Sequence, residues 1–273
     1  MSEDLEKRDD RGRTPLMRAC EEGDLEQVQR LIDRGANIEA RELRRAALSG
    51  HAAIVELLFR AGGDINNNHG WDGETALMFA SQQGHVDVVD CLLSHGADTE
   101  VKDQAGSSAL MWASQNRMID VVDRLLAAGC NVNAQDKRKS TALMWTARAG
   151  HVPIIDRLVV HGADFNHQDL DGHTALFVAS GAGQIEAVDR LLSLGCDVNV
   201  QDRNGYTPLV SAACHGKIDV VRLLLDHGAD PLLCNRDGKR AIDLASASPE
   251  IQTLLGSSSS PFTIITIIMS HET

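Results

Sequence analysis

Aromatic side chains are scarce, 3% of 273 residues (Trp 3, Tyr 1, Phe 5), so large rings cannot fill the core and many small aliphatic contacts must do so. Basic residues are in the minority as well, 26 Lys and Arg against 39 Asp and Glu, for a net charge of −13. Binding a phosphate backbone requires clustered cations that release counterions, so nucleic acid is excluded as an expected partner. The six cysteines, at 20, 91, 130, 196, 214 and 234, contain no CxxC pair. That spacing fits neither a zinc framework nor a disulfide-stapled mini-protein and reads as buried thiols in a reducing compartment. No run reaches the roughly 18 apolar residues of a bilayer span, and the opening Met-Ser-Glu-Asp-Leu-Glu-Lys-Arg has no signal-peptide core. The expected location is cytoplasm or nucleus, without secretion or a transmembrane helix. GxGxxG, P-loop, HExxH and nucleophile-elbow motifs are all missing. The expectation is therefore a non-enzyme with no catalytic residue, no cofactor and no metal.

What is present is repetition. TPLMRAC (14–20), TALMFAS (75–81), SALMWAS (108–114), TALMWTA (141–147), TALFVAS (174–180) and TPLVSAA (207–213) share one pattern. Leu77, Leu110, Leu143, Leu176 and Leu209 follow one another at intervals of 33. A second pattern trails each at constant offset, as in Val88-Val89, Leu92-Leu93 and Gly96-Ala97-Asp98. Two amphipathic helices and a glycine turn therefore recur together, joined by polar links rich in Asp, Asn and Gly.

This arrangement resembles the ankyrin repeat, whose period and T-P-L-H-x-A core it approximates. The resemblance covers about residues 9–255, as eight units at 9–41, 42–68, 70–102, 103–135, 136–168, 169–201, 202–234 and a capping 235–255. Residues 1–8 form an N-terminal extension, and 256–273 a flexible linker and short apolar tail. The expected fold is an all-α ankyrin-repeat solenoid of about eight helix-turn-helix units, with β-hairpin or turn fingers along one edge. Local chemistry agrees. Thr14, Thr75, Thr141, Thr174 and Thr207 stand at N-cap positions, and Pro15 and Pro208 at first helical positions. Glycines such as Gly23, Gly84 and Gly150 close first helices, and Gly35, Gly96 and Gly162 close second ones.

The departures are informative. The family's histidine after Leu is replaced by Met17, Met78, Met111, Met144, Phe177 and Val210, turning a polar tie into apolar packing. Repeat two is shortened, since Gly23 and Gly50 lie only 27 apart, and an interrupted row of fingers is expected there. Arg117 and Lys139 occupy positions where glycine is usual, at a cost if the backbone needs positive φ. The tail residues 262–269, Phe-Thr-Ile-Ile-Thr-Ile-Ile-Met, form a strand-prone segment that either stays loose or docks.

Candidate chemistry is weak. His51, His85 and His151 follow first-helix glycines, while His95, His161 and His227 precede second-helix glycines, all in structural places. His167, Asp169, Asp171 and His173 alternate across one finger and resemble a metal-ligand set on paper, but Asp169 holds a recurring Asp position shared with Asp103, Asp136 and Asp202. Cys214 and His215 are adjacent on a helix and diverge by about 100°.

The surface carries more. The residue directly after Met, with those three and four further on, shares one helical face. It reads Phe79 with Gln82, then Trp112 with Gln115, then Trp145 with Arg148. Trp71, Lys137, Arg138, His173 and Tyr206 add finger tips. The resemblance implies that this face and the tips line a concave groove for partners, and Trp and Arg are the types that carry interface energy. Packing of both indoles between successive inner helices is the competing reading. Acidic residues gather on second helices (Asp87, Asp120, Glu186, Asp219), whereas Lys137, Arg138, Lys139 and Arg148 surround Trp145. The expectation is a monomeric protein-binding adaptor whose partner segment is apolar and acidic. The alternative is a membrane-associated scaffold using the apolar tail.

Overall fold

In the computed structural model, residues 5–68, 72–245 and 248–258 are described, and they are all-helical, with sixteen helices and no strand among them. Trp71 and the apolar segment 262–269 lie outside the described residues. Contacts divide the chain at residue 137 into two units.

The first unit pairs α1 (Pro15–Glu22) with α2 (Leu25–Asp33), α3 (Ala40–Leu48) with α4 (Ala52–Arg60), α5 (Ala76–Gln83) with α6 (Val86–Ser94), and α7 (Ala109–Gln115) with α8 (Ile119–Ala127). Odd helices pack on odd and even on even, giving an inner and an outer row. The second unit repeats this with α9 (Ala142–Ala149), α10 (Val152–Val160), α11 (Ala175–Ala182), α12 (Ile185–Ser193), α13 (Pro208–Cys214), α14 (Ile218–Asp226), α15 (Ala241–Leu244) and α16 (Pro249–Ser258). α16 extends through Ser258, past the start proposed for the linker.

Most inner helices start where the sequence places a hydroxyl, whereas α3 and α15 have Glu39 and Arg240 at their N-caps. Thr14, Thr75, Thr174 and Thr207 accept from the amides of Met17, Met78, Phe177 and Val210 at 3.1–3.3 Å. Thr141 does not: the Met144 amide bonds the Thr141 carbonyl at 3.1 Å, and the buried hydroxyl has no partner. Ala19, Ala46, Ala80, Ala113, Ala179 and Ala212 are buried between rows, as are Met17, Met78, Met111, Met144 and Val210. Phe177 differs, remaining half-buried and stacked on His173.

The glycine closing an inner helix has two roles. Gly23 takes φ +80°, and a Cβ there would meet the His51 ring of the next repeat at 2.6 Å. His51 in turn directs Nε2 to the Glu21 carbonyl at 3.3 Å. A left-handed cap and a close inter-repeat approach therefore coincide.

The fingers take the turn form. In finger six, Asp169 Oδ1 accepts from the amides of Asp171 and His173, both at 2.9 Å. Asp202 and Asn235 do the same one and two repeats on. Single backbone bonds link successive fingers within a unit: Gln104 and Lys137 amides donate to the Asp72 and Ala105 carbonyls, and Leu170, Arg203 and Arg236 to Arg138, Asp171 and Asn204. One bond per finger is too little for a strand, which is why the hairpin alternative is not realised.

The row is interrupted in repeat two, as its length predicts. Residues 36–39 lead directly into α3, and the Glu39 amide donates to the Glu42 carboxylate at 2.9 Å. That carboxylate is 1% exposed, and burial pushes its pKa up to about 7. Its folded value exceeds the ordinary 4.5, so the folded state binds the proton more tightly than the unfolded one. Stability from this group is complete below about 4.5 and is lost as pH rises toward 7.

Two predictions follow from these backbone and burial facts. Glu42→Gln should raise stability at pH 8 by about 2–3 kcal/mol and flatten its loss between pH 4.5 and 7, read from urea midpoints across pH; an unchanged profile overturns the assignment. Arg117 and Lys139 sit at φ +66° and +62°. A non-glycine residue there costs about 1–2 kcal/mol, against the unfolded-state entropy of glycine of about 0.5–1. Arg117→Gly and Lys139→Gly should each therefore raise stability by about 0.5–1 kcal/mol, read as an upward urea midpoint at constant m.

Candidate functional site

The inner face and finger bases of the second unit enclose a groove of about 520 Å³. Its walls are Arg138 and Ser140 from finger five, Met144, Trp145 and Arg148 from α9, Asp169 and His173 from finger six, Phe177, Val178, Gly181 and Ala182 from α11, and Ser211 and His215 at α13. The periodicity that put Trp145 and Arg148 on one face is what aligns them here, because residues three apart share a helical stripe. Gly181 keeps the floor open: a Cβ there would lie 2.5 Å from Ser211 Oγ. Four of the sequence candidates, Arg138, Trp145, Arg148 and His173, therefore meet in one concavity. Tyr206 is half-buried in the same unit and does not line it.

Electrostatics within the groove are organised by the fingers. Arg138 pairs with Asp171 at 2.7 Å, and both are substantially exposed. His173 lies flat on Phe177, ring centroids 4.3 Å apart, with Nδ1 3.4 Å from Asp169 and Nε2 3.6 Å from Asp202. Arg148 is exposed at the end of α9. The groove thus offers an indole face, a phenyl face and guanidinium groups side by side.

In the first unit the candidates are more dispersed. Trp112 is half-buried, and its Nε1 donates to Asp103 Oδ2 at 3.0 Å. Its polar edge is spent inside its own repeat, and only the ring remains for contact. Gln82 is half-buried, while Gln115 and Lys137 are exposed. Phe79 instead borders a hollow of about 380 Å³ with Arg11, Arg41, Arg44, Arg45, Leu48 and Glu74. This hollow lies beside the repeat that lacks a finger. Arg45 bonds Glu21 at 2.8 Å, and Arg44 donates to the Glu74 carbonyl at 3.2 Å. Burial, with Arg41 as a neighbouring like charge, holds the Arg44 guanidinium below its ordinary pKa. The shortening was legible in the sequence; the convergence of arginines was not, since Arg11 comes from a different repeat.

Of the paper metal set, one ligand atom each of Asp169, Asp171 and His173 lies within 4.8 Å of the others, whereas His167 turns Nε2 to the Lys139 carbonyl at 2.8 Å and Asp169 is buried holding its own turn. Cys214 and His215 do not pair: His215 Nδ1 meets the Ser211 carbonyl at 2.8 Å, and burial raises the Cys214 pKa. Burial likewise pushes Cys20, Cys130 and Cys196 up to about 12, so these thiols stay protonated, whereas Cys214 and Cys234 are exposed, against the expectation of six buried thiols.

A family model for ankyrin repeats in three copies matches residues 43–136, 110–202 and 182–260, and one for a single ankyrin repeat matches 11–42. The ankyrin repeat and KH domain-containing protein mask of Drosophila melanogaster is 37% identical over 101 residues, covering 34% of this chain and 2% of that protein. Palmitoyltransferase AKR1 of Lachancea kluyveri is 33% identical over 97 residues, covering 32% of this chain and 13% of that protein. The chain thus spans a small fraction of these curated relatives, and the likeness lies in repeats. Among solved structures, the human ASB11 ankyrin repeat domain superposes with a TM-score of 0.73 at 26% identity, covering 80% of this chain and 98% of that one. Among the described residues no helix is long and apolar enough to cross a membrane. Sequence period, paired helices and capped turns converge with these matches: the chain belongs to the ankyrin repeat family, whose members generally mediate protein–protein interaction.

Proposed function

We propose that this protein is a non-catalytic adaptor that binds an extended, apolar and acidic segment of a partner protein in the groove of its second unit. The observation that carries the reading is Trp145 and Arg148 lining one concavity with Arg138, His173 and Phe177. An aromatic anchor beside a guanidinium is the pairing that most often concentrates interface energy. A net charge of −13 would repel an acidic partner at long range, so arginines at the groove give that partner one favourable approach. The arginine-lined hollow beside Leu48 and Phe79 in the first unit has the same character and favours the same partner chemistry. Phe79, Gln82, Trp112, Gln115 and Lys137 in the first unit, and Tyr206 in the second, are further contact residues in this reading, together with Trp71, which lies outside the described residues. The protein acts as a monomer in cytoplasm or nucleus.

The test is selection of peptides from a displayed random library on the wild-type protein, followed by anisotropy titration of the enriched sequences. Enriched peptides should combine aromatic or aliphatic residues with Asp or Glu. Trp145→Ala and Arg148→Glu should each weaken them about tenfold or more, with circular dichroism unchanged. Equal affinity for both variants places the binding surface elsewhere and overturns the groove.

A further inference from the structure

The outer row holds a cluster that the binding function does not use. His95 closes α6, and its Nδ1 lies 2.8 Å from the Cys91 carbonyl one turn back. His161 and His227 make the same contact, with the Arg157 and Leu223 carbonyls at 2.8 and 2.9 Å. A ring nitrogen facing a carbonyl must donate, so Nδ1 carries a proton in all three rings and Nε2 is the atom left to face other groups. This is the arrangement that orients a histidine for metal ligation. At His161 and His227 the residue one turn back is Arg157 or Leu223; at His95 it is a cysteine.

Neighbouring α4 supplies the third group. Glu56 Oε2 lies 3.0 Å from His95 Nε2 and 3.7 Å from Cys91 Sγ. One ligand atom from each of the three side chains lies within 4.8 Å of the others. Around a tetrahedral zinc with bonds of about 2.0–2.3 Å, adjacent ligand atoms stand about 3.2–3.8 Å apart, so the cluster needs only small side-chain adjustments. The second carboxylate oxygen is held by Arg60 at 2.6 Å, which leaves Oε2 directed at the histidine. The Phe59 ring packs on the imidazole, centroids 4.5 Å apart, and fixes its plane. The side chains of Glu56 and His95 remain 28% and 24% exposed, which gives an ion an entry path and a water its fourth position.

We propose that Glu56, Cys91 and His95 form a Zn²⁺ site that joins the outer helices of repeats two and three. Binding forms a Zn–S bond as the thiol S–H bond breaks and a Zn–N bond as His95 Nε2 gives up any proton it shares with Glu56, the protons leaving to solvent, and the Glu56 carboxylate completes the protein ligands. Burial and the adjacent carboxylate push the Cys91 thiol up to about 11, so without a cation the thiolate is disfavoured beside Glu56. A divalent ion reverses that balance, and affinity falls as pH falls. The charged groups facing the site are Glu56 and Arg60 from α4 and His95 from α6. The location has a structural logic: repeat two lacks its finger, and an outer-row metal would tie α4 to α6 beside that gap.

The expectation of no metal site rested on linear motifs. Glu56 and Cys91 are 35 residues apart, and only stacking of repeats brings them together. The test uses the full chain, reduced and metal-free, titrated with Co²⁺. Wild type should develop thiolate-to-cobalt charge transfer and tetrahedral d–d bands saturating at one equivalent, and Zn²⁺ should abolish both. Cys91→Ser should lose the charge-transfer band while keeping the other five thiols. Glu56→Gln and His95→Gln should weaken binding about tenfold or more. Zn²⁺ should raise the thermal midpoint of wild type and leave that of Cys91→Ser unchanged. A charge-transfer band that persists in Cys91→Ser, or no band in wild type, overturns the proposal.

Discussion

A helix of eight or nine residues has no independent stability in water, and this chain is built from little else. Every α-helical pair must hand its apolar face to the next pair, so the contact between neighbouring repeats is the constraint that fixes everything above it. The pairing of Gly23 with His51 shows how narrow that contact is. The glycine must curl left-handed to end its helix and must also lack a Cβ so that the next repeat's ring can lie against it. Short helices, small inner-row residues and glycine closures are one solution to one problem.

Stacking also sorts the charge. Outer helices carry acidic residues that reach across to cations one repeat on, as in Asp90 with Arg124 at 3.4 Å and Asp156 with Arg190 at 2.6 Å. These pairs are exposed and contribute little individually, but they leave the outer face hydrated and acidic. Guanidinium groups gather on the inner side, beside Trp145 in the second unit and beside Phe79 in the first. A protein of strong net negative charge thus places guanidinium groups beside rings on its inner side.

Much of this was legible in the sequence, for a definite reason. A period of 33 multiplies weak local signals, so Thr14, Thr75, Thr174 and Thr207 support one another as caps and the glycines as closures. Periodicity likewise put Trp145 and Arg148 on one stripe. It failed where a group's partner is one that its linear spacing does not indicate. Thr141 has the sequence of a cap and the amide it would serve is already bonded. Trp112 has the sequence of an exposed anchor and its indole nitrogen is tied to Asp103. His167 was grouped with His173 by spacing and is drawn away by the Lys139 carbonyl.

The sequence by itself determined the repeat, the helix boundaries, the missing finger of repeat two and the positive-φ positions of Arg117 and Lys139, because each follows from bonding within a few consecutive residues. The tertiary structure alone decided that Glu42 would be buried with a pKa near 7, that arginines of different repeats would share a hollow, and that Glu56, Cys91 and His95 would converge. Those outcomes depend on which side chains face one another across a repeat interface. Lateral contact between residues about thirty apart is set by stacking geometry, and no local pattern records it.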